Sequence, residues 1–456
     1  MVITPPLTVW NAAAELRRWE RLGLITLGLF FVAFAGLIEL RAAFQKTRKT
    51  DFGVYVRAAW AVRSGEDLYK IVDNNRYHYT YPPAFAVLMM PLADAPAGVS
   101  RAGLLPFWAS VAIWTLLNYL LVIRTTHVLA SLILPDEPTR SRRWWYARTV
   151  PVYVAIGGIG YSVGFGQVNV VLVSILVEML RCSLTNKRFA SGLWLASAIV
   201  MKVMPAFLVL YPLLRKDGRS LLGLAAGMVL GVAAIPVAGM GVERTLHGYQ
   251  IFAATVLMPG LVGGDANGVK ELVDMPSNDN QSFLALIHGN LYPDKATQPA
   301  TASVETKLAH VGIVGLLTLA TVIVALRRGM NTASDATITL GLLMVLMLHA
   351  VPMSHMHYYA FGWPLVAGLW LKGLESRPGA SFAGWGVLAP LMLWGVGTAL
   401  PLFPGATFEM MRDRGMGLVA SMVLWGVGLR TFAKRDDVAM ETLSFDAQKP
   451  QLRQAA

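Results

Sequence analysis

Apolar segments long enough to cross a bilayer recur along the whole chain, and this feature limits the fold more than any other. A transmembrane helix needs about 20 mostly apolar residues to cross about 30 Å of hydrocarbon. We predict spans at residues 22–40, 102–123, 149–165, 168–181, 220–240, 309–326, 333–351, 357–371, 380–401 and 415–432. The sequence therefore predicts an all-α, polytopic integral membrane protein.

The composition supports this class and excludes others. Hydrophobic residues are 55% of 456 and charged residues only 14%, with a mean hydropathy of +0.52, far from a soluble globular average. The single cysteine, Cys182, excludes a disulfide framework or a cysteine metal cluster. The net charge of +12 fits loops facing anionic lipid better than nucleic acid. The first apolar run has no small-residue cleavage site, so we expect no signal peptide.

The stretch 189–214 allows two interpretations. At about 1.5 Å per residue it could form one long span. Both of its flanks are basic, however, and Lys202 with Pro205 interrupts its middle. Two half-depth helices that meet at Lys202 keep both flanks cytoplasmic, as the positive-inside rule asks. We therefore expect about 12 transmembrane helices in one domain over 1–432, both termini in the cytoplasm, and a polar, disordered tail at 433–456.

Two segments on the outer side differ in charge. The loop 241–308 carries four basic and seven acidic residues, as the positive-inside rule favours. Residues 41–50 break that rule, because they carry four cations and no acid. One interpretation is an anchor to lipid headgroups. The other is a binding site for a phosphate group at the membrane surface, with Arg48 and Lys49 as candidate ligands.

A short amphipathic helix is predicted directly after these cations. In "DFGVYVRAAW", Phe52, Val56 and Trp60 mark one face, a pattern typical of a helix at the membrane interface rather than a span. Asp51, at its start, could be the helix N-cap or a reactive carboxylate. The next segment, "NNRYHYTYPPAF", concentrates aromatic rings that include Tyr79 and Tyr81. It is either an interfacial aromatic belt or a wall that binds a sugar or headgroup.

Polar residues inside apolar sequence mark further candidates. Gln167 and Asn169 lie in "GFGQVN", where a tight turn explains the glycines but not the amides. Lys202 is the residue least expected in its apolar surroundings. Inserting a cation near the centre of a lone transmembrane helix costs about 2.5–3.5 kcal/mol. A snorkelling lysine would need a cytoplasmic edge within one turn, and none is there. We therefore expect Lys202 to face a water-filled cavity or an anion.

Two outer segments add candidate ligands. "SNDNQSFLAL" places Asn280, Gln281 and Ser282 before an apolar helix, which also suits a helix cap. "MLHAVPMSHMHYYAFGWP" carries His355 and His357 between two spans. A His-x-His pair can ligate metal, but no carboxylate lies within ten residues. We therefore expect no metal here, and favour imidazoles that donate to a phosphate or a sugar hydroxyl.

Taken in chain order, these motifs resemble one known family. The chain is similar to the polyprenyl-phosphate-mannose-dependent α-mannosyltransferases, glycosyltransferase family 87 of the GT-C superfamily. The matching motifs are "DFGVY…A…G…LY" at 51–69, "YTYPPAFAVLMMPLA" at 79–93, "GQVNVVL" at 166–172, "AIVMKVMPAFLVLYPLL" at 198–214, "NDNQSF" at 278–283 and "SHMHY" at 354–358.

The resemblance implies a GT-C-like fold and a sugar donor on a polyprenyl monophosphate. The acceptor would be a glycan or glycolipid, with mannose or arabinofuranose transferred on the outer side of the inner (plasma) membrane, facing the periplasm or exterior. It carries the catalytic base to Asp51, the lysine before proline to Lys202, and the outer histidine to His355, with His357 as the alternative. We expect sugar or acceptor contacts from the polar and aromatic candidates Tyr55, Tyr79, Tyr81, Gln167, Asn169, Asn280 and Gln281.

The chemistry of such a transfer suits these residue types. A displacement at the anomeric carbon needs one base for the acceptor hydroxyl proton and fixed positive charge for the leaving phosphate. The sequence has no Gly-rich nucleotide loop and no Asp-x-Asp motif, and we expect no cofactor or metal. Two alternatives stay open: a transporter or flippase for lipid-linked sugars, and an O-antigen ligase or polymerase acting on diphosphate donors.

Overall fold

The computed structural model describes residues 16–45, 50–259, 280–294 and 296–434, and across these ranges the chain is helical, with no β-sheet. The α-helices, in chain order, are α1 Arg18–Glu39, α2 Asp51–Ser64, α3 Pro83–Leu88, α4 Phe107–Ile133, α5 Arg142–Gly164, α6 Asn169–Leu184, α7 Arg188–Met201, α8 Leu210–Leu214, α9 Gly218–Val229, α10 Ile235–Met240, α11 Val242–Phe252, α12 Phe283–Leu291, α13 Val304–Arg328, α14 Ala333–Ala350, α15 Trp363–Glu375, α16 Trp385–Ala399, α17 Ala406–Asp413 and α18 Met416–Ala433. Short 3₁₀ or π-helical turns join or extend several of them, including Met204–Val209 before α8 and Met356–Gly362 before α15.

Helices of membrane-spanning length confirm the predicted all-α, polytopic class. In the described parts of the chain, seven helical segments are long and apolar enough to cross a bilayer. They are Arg18–Phe44, Phe107–Ile133, Gly218–Met240, Val304–Arg328, Ala333–Ala350, Trp385–Leu402 and Met416–Ala433. Seven such segments do not establish the predicted count of about 12. The predicted tail falls almost wholly outside the described residues.

Helix α4 shows why some predicted boundaries were wrong. The span predicted at 102–123 begins only at Phe107, because Pro106 occupies the N-cap position and starts the helix. It then continues ten residues past the predicted end. Arg124, the first residue after the predicted span, lies inside the helix and pairs with Glu178 of α6. The charge therefore marks an ion pair between helices and not the end of a helix.

The stretch 189–214 folds as two helical pieces that meet at Lys202. Helix α7 ends at Met201, and Lys202 is extended, with φ −153° and ψ 129°. Pro205 explains the break, because its ring would collide with the carbonyl of the residue four positions earlier, Met201. The 3₁₀ turn Met204–Val209 and α8 then carry the chain onward.

Helices α7 and α9 run side by side in the same direction, so the chain between them must return to its starting level. At one end the Ser220 hydroxyl donates to the Arg188 carbonyl at 2.9 Å. At the other end, beyond α9, Gly231 lies against Val200. Residues 202–217 therefore form the returning half of a re-entrant hairpin with Lys202 at its tip.

Small residues allow this close parallel contact. Gly223 lies so near Phe189 that a Cβ atom there would collide with the Phe189 carbonyl, and a Cβ at Gly192 would collide with the Ser220 carbonyl. Gly223, Gly227 and Gly231 repeat every four residues, the spacing that brings small residues to one helix face in membrane proteins. The glycine stripe thus fixes the position of the hairpin.

Helix α2 follows the first predicted span, and protein covers nearly all of it. Val54, Tyr55, Ala58 and Ala59 are each at most 5% exposed. The segment before and after α3 packs on one side, and the α5–α6 turn on another. The predicted amphipathic face is therefore only part of its buried surface, and α2 is a core element.

We predict that Gly223→Ala lowers the thermal unfolding midpoint in detergent. The added methyl group must displace the Phe189 backbone, and overpacking of this kind costs about 1–3 kcal/mol. Cys182 is the single cysteine and is 2% exposed, so a thiol-reactive dye reports unfolding directly. Gly315→Ala on α13 is the matched control, since nothing lies within 4 Å of its would-be Cβ. Equal midpoints for the two variants would contradict the parallel packing.

Candidate active site

Asp51 is the first residue of α2 and is tied to the α5–α6 turn. Its backbone N–H donates to the Phe165 carbonyl at 2.9 Å. Thr50 occupies the N-cap position, so the alternative that Asp51 caps the helix is wrong. The Asp51 carboxylate is left available for other contacts, and the residue keeps partial exposure.

The turn between α5 and α6 can approach α2 because it contains a glycine. Gly166 has φ +67°, a conformation that favours glycine, and a Cβ atom there would lie 2.6 Å from Phe52 Cβ. The Trp114 indole donates to the Gly166 carbonyl at 2.9 Å. Gly166 therefore lets the next residues, Gln167 and Asn169, reach the site.

Tyr55, Tyr81 and Gln167 form a buried polar network beside Asp51. The Tyr55 hydroxyl donates to Gln167 Oε1 at 3.0 Å and lies 2.9 Å from the Tyr81 hydroxyl. The Tyr81 hydroxyl is itself 3.3 Å from the same Oε1. Asp51 and Tyr55 are four residues apart and share one face of α2. The network therefore fixes the Gln167 side chain, with its Oε1 accepting from the two tyrosine hydroxyls.

Lys202 lies against the other amide of the same turn. Its Nζ donates to Asn169 Oδ1 at 3.2 Å and lies 4.1 Å from the ring centre of Tyr358 and 5.5 Å from that of Tyr81. Such cation–π contacts are worth about 2 kcal/mol or more when desolvated. The ammonium is thus held by an amide oxygen and two ring faces, with partial exposure left over.

The histidine segment joins this group through the backbone and through ring stacking. Asn169 Nδ2 donates to the His357 carbonyl at 3.0 Å. The His355 and His357 rings stack at 5.3 Å, and Tyr358 packs edge-on against both. His357 is 9% exposed, whereas His355 is more open. His355 is therefore the more accessible of the two imidazoles.

Asn280 and Gln281 lie beside the histidine segment and brace its backbone. Asn280 Oδ1 accepts from the Ser282 and Ser354 amides at 3.1 and 3.0 Å, and its Nδ2 donates to the Pro352 carbonyl. Gln281 Nε2 donates to the Arg412 carbonyl at 2.7 Å. The amide nitrogens of both side chains are engaged with the backbone, whereas Gln281 Oε1 has no hydrogen-bond partner among the described residues. Their sugar-binding role stays a prediction.

The remaining predicted residues lie at the edge of the site or beyond the described chain. The Tyr79 ring packs 5.7 Å from Tyr81, but its hydroxyl donates to the Pro82 carbonyl. Arg48 and Lys49 fall outside the described residues. The structure thus brings together Asp51, Tyr55, Tyr81, Gln167, Asn169, Lys202, His355 and His357.

The electrostatics of Asp51 reflect its enclosed position. The pKa of its carboxyl is raised from 3.8 to about 6, mainly by burial and to a smaller extent by the nearby Asp73 carboxylate. A hydrogen bond from the Gln167 side chain and the charge of Lys202 act in the opposite direction and lower this pKa. Asp51 and Lys202 are therefore close enough to stabilise each other's charges.

Sequence reasoning did not single out two residues of this site, Tyr358 and Asp73. Tyr358 stands in the quoted "SHMHY" motif directly after His357, so its adjacency to both histidines was a usable signal. Asp73 carried no signal, because its influence on Asp51 depends on how the segment after α2 folds back on this helix. Within the described ranges, no three His, Cys, Asp or Glu side chains group as a metal site would.

The geometry places a carboxylate and an ammonium on either side of two buried amides. Asp51 and Lys202 keep partial exposure, while Gln167 and Asn169 between them are at most 2% exposed. A reacting group placed there would meet a carboxylate on one side and an ammonium on the other. That pairing suits proton removal coupled to departure of an anion.

Comparison with known proteins adds a family match. The model of glycosyltransferase family 87 matches residues 79–351. The chain is 29% identical over 365 residues to the polyprenol-phosphate-mannose-dependent alpha-(1-2)-phosphatidylinositol mannoside mannosyltransferase of Mycobacterium tuberculosis, covering 75% of each chain.

Two further relatives have different names. The chain is 27% identical over 414 residues to the polyprenol-phosphate-mannose-dependent alpha-(1-2)-phosphatidylinositol pentamannoside mannosyltransferase of Mycolicibacterium smegmatis, covering 88% of this chain and 87% of that one. It is 24% identical over 251 residues to an alpha-(1->3)-arabinofuranosyltransferase of Corynebacterium glutamicum, covering 53% of this chain and 54% of that one. The named relatives thus transfer two different sugars.

We predict that Asp51→Asn raises the thermal midpoint relative to the natural chain above pH 6, with the gain disappearing toward pH 4. A pKa raised in the folded state means that folding holds the proton more tightly than unfolding does. Stability therefore falls as pH rises from about 4 to about 6 and stays reduced above, and an amide escapes this loss. Asp67→Asn, in the segment that follows α2, is the control. A lower midpoint for Asp51→Asn at pH 8 would contradict the enclosed carboxylate.

Proposed function

The chain belongs to glycosyltransferase family 87, and from this membership we propose that it transfers a sugar from a polyprenyl monophosphate to a hydroxyl of a glycan or glycolipid acceptor. The observation that carries the proposal is the pairing of Asp51 with Lys202 across the Gln167 and Asn169 amides. The names of the relatives favour mannose as the sugar, with arabinofuranose as the alternative. Their names also support a glycolipid acceptor.

Asp51 is proposed as the base that removes the acceptor hydroxyl proton. A pKa of about 6 leaves the carboxylate mostly ionised at neutral pH, yet more basic than an ordinary aspartate. The Gln167 amide, fixed by Tyr55 and Tyr81, would hold the carboxylate in one orientation. Deprotonation then proceeds as the hydroxyl oxygen attacks the anomeric carbon.

Lys202 is proposed as the ligand for the donor phosphate. An ammonium within the membrane region needs an anionic partner, and the donor phosphate supplies one. As the bond from the anomeric carbon to the phosphate oxygen breaks, negative charge grows on that phosphate, and a fixed cation stabilises it. The more exposed His355 is proposed to donate a second hydrogen bond to the phosphate, while the buried His357 would orient its neighbours.

The site is proposed to face away from the cytoplasm in a plasma membrane. Asp51 and the Gly166 turn lie at the end of α5 opposite its basic start, Arg142 and Arg143. The basic pair Arg327 and Arg328 ends α13. Basic residues favour the cytoplasmic side, which supports this orientation. We also propose that residues 1–432 act as one domain.

Purified protein and radiolabelled donors test the proposal against its alternatives. Transfer from a polyprenyl-phosphate mannose supports it. Transfer only from lipid diphosphate donors would favour the ligase or polymerase alternative. Donor movement across a vesicle membrane without transfer would favour the transporter.

We predict that Asp51→Asn lowers kcat by about 10²–10⁴-fold with donor binding retained, since general bases contribute about that much. The measurement is initial-rate transfer from polyprenyl-phosphate mannose in detergent. Asp67→Asn should keep the natural rate. In the natural chain, kcat/KM should fall below pH 6 as Asp51 takes up its proton. An unchanged rate for Asp51→Asn would remove it as the base.

We predict that Lys202→Met inserts and folds at least as well as the natural chain while losing about 10²–10³-fold in kcat, the loss typical for one charge-stabilising contact. Methionine removes a cation that is costly in the membrane. Insertion is followed by membrane fractionation, and folding by dye labelling of Cys182. A variant that folds poorly but whose folded fraction turns over normally would make Lys202 structural.

A further inference from the structure

Helix α2 has a second face, distinct from the face of Asp51 and Tyr55, that lines a separate cavity. The cavity has a volume of about 270 Å³ and is bordered by Thr50, Gly53 and Arg57 of this helix. Its other walls carry the polar residues Asp73, Asn74, Asn75, Asp94 and Arg101. Apart from the effect of Asp73 on Asp51, this group takes no part in the Lys202 site, so the proposed chemistry leaves it unexplained.

The cavity and the proposed base share one helical turn. Thr50, Gly53 and Arg57 follow the spacing of one helix face, and Asp51 and Tyr55 follow that of another. The missing side chain of Gly53 keeps the two close, since a Cβ atom there would lie 3.3 Å from Asp73 Oδ2. Asp73 on the cavity wall lies close enough to Asp51 for its charge to act on that carboxylate, so the cavity and Asp51 are near each other at the start of α2.

The hydrogen bonds of Arg57 to protein partners leave part of its guanidinium group unsatisfied, as expected of a ligand-binding residue. It is 5% exposed, and its guanidinium reaches Asn74 Oδ1 at 3.1 Å and Asp94 Oδ2 at 3.4 Å. Its Nε has no hydrogen-bond partner among the described residues. A buried donor without a partner costs about 1–3 kcal/mol or more, and a ligand hydroxyl would remove that cost.

The charges around the cavity balance, which argues against an ionic ligand. Two guanidinium groups, Arg57 and Arg101, face two carboxylates, Asp73 and Asp94. An anion would meet the carboxylates and a cation would meet the guanidiniums. Sugar hydroxyls both donate and accept, so they can bond to both kinds of group and to the amides of Asn74 and Asn75.

The size and height of the cavity also suit a sugar headgroup. Its volume is slightly below the about 300–1,000 Å³ usual for small-molecule pockets, which suits one sugar ring. Ala42, at the end of the first span, and Phe107, at the start of the second, lie on its wall. The cavity therefore opens where a glycolipid headgroup emerges from the bilayer.

We propose that this cavity is the acceptor subsite, where Arg57, Asn74, Asp94 and their neighbours bind one neutral hexose ring and direct a hydroxyl toward Asp51. The inference rests on the proposed function for its direction of transfer. The sugar binding itself can be measured without any transfer. No covalent step occurs in the cavity.

Octyl hexosides (mannoside, glucoside and galactoside) serve as probes of binding to the full chain in detergent. Asn74→Ala and Arg101→Gln are the test variants, since Asn74 is exposed and the Arg101 side chain is 45% exposed, so neither supports the core. We expect each to weaken binding of the preferred octyl hexoside by about tenfold, the loss of one hydrogen bond of about 1.4 kcal/mol. The acceptor KM should rise similarly, with the donor KM and thermal midpoint unchanged.

Arg63→Gln, also on α2 but bonded to the Met90 and Gly103 carbonyls outside the cavity, is the control and should bind as the natural chain does. Asp51→Asn should bind octyl hexosides normally while losing transfer. No binding of any octyl hexoside by the natural chain, or competition by inorganic phosphate, overturns the assignment. So does an equal rise of donor and acceptor KM in the two test variants.

The failures of the two proposals differ. If octyl hexosides bind in a manner that depends on Asn74 but no transfer from polyprenyl-phosphate mannose occurs, the proposed function is wrong and the sugar site is supported. Normal transfer with an acceptor KM insensitive to both test variants would sink the acceptor subsite alone.

Discussion

An ammonium group inside the membrane region must be compensated, and the architecture around Lys202 follows from that need. Pro205 ends α7 at Met201 and leaves Lys202 extended at the tip of a re-entrant hairpin. The glycine face of α9 holds this hairpin by close parallel packing with α7. Asn169, Tyr358 and Tyr81 then surround the cation, and its charge stabilises that of Asp51.

The short turn between α5 and α6 connects the separate parts of the site. Phe165 accepts a hydrogen bond from the Asp51 backbone, and Gly166 accepts one from Trp114. Gln167 meets the two tyrosines, and Asn169 bonds both to Lys202 and to the His357 backbone. A change in this turn would therefore move the base, the cation and the histidine segment together.

The site residues that could be predicted from the sequence are those whose polarity conflicts with their apolar neighbours. Lys202, Gln167 and Asn169 are polar in apolar sequence, and the structure brings all three to one place. Residues that fit their surroundings gave no such signal. Tyr358 is an ordinary aromatic residue until the fold sets its ring under Lys202, and the cavity beside Arg57 exists only because the loop 65–106 folds back on α2.

Boundaries and orientations were harder to predict than element types. Arg124 indicated the end of a helix, yet its pairing with Glu178 lets α4 continue to Ile133. Asn280 and Gln281 have the hydrogen-bonding groups of sugar ligands, but tertiary contacts with the Pro352 and Arg412 carbonyls use their amides. Such outcomes depend on which distant segment packs nearby, information that local sequence does not contain.

The most direct test is an experimental structure of the protein with a non-transferable polyprenyl-phosphonate sugar bound. The account predicts a phosphonate oxygen within hydrogen-bond distance of Lys202 Nζ and the anomeric carbon on the side that faces Asp51. A phosphonate bound away from Lys202, or an anomeric carbon turned away from Asp51, would contradict it.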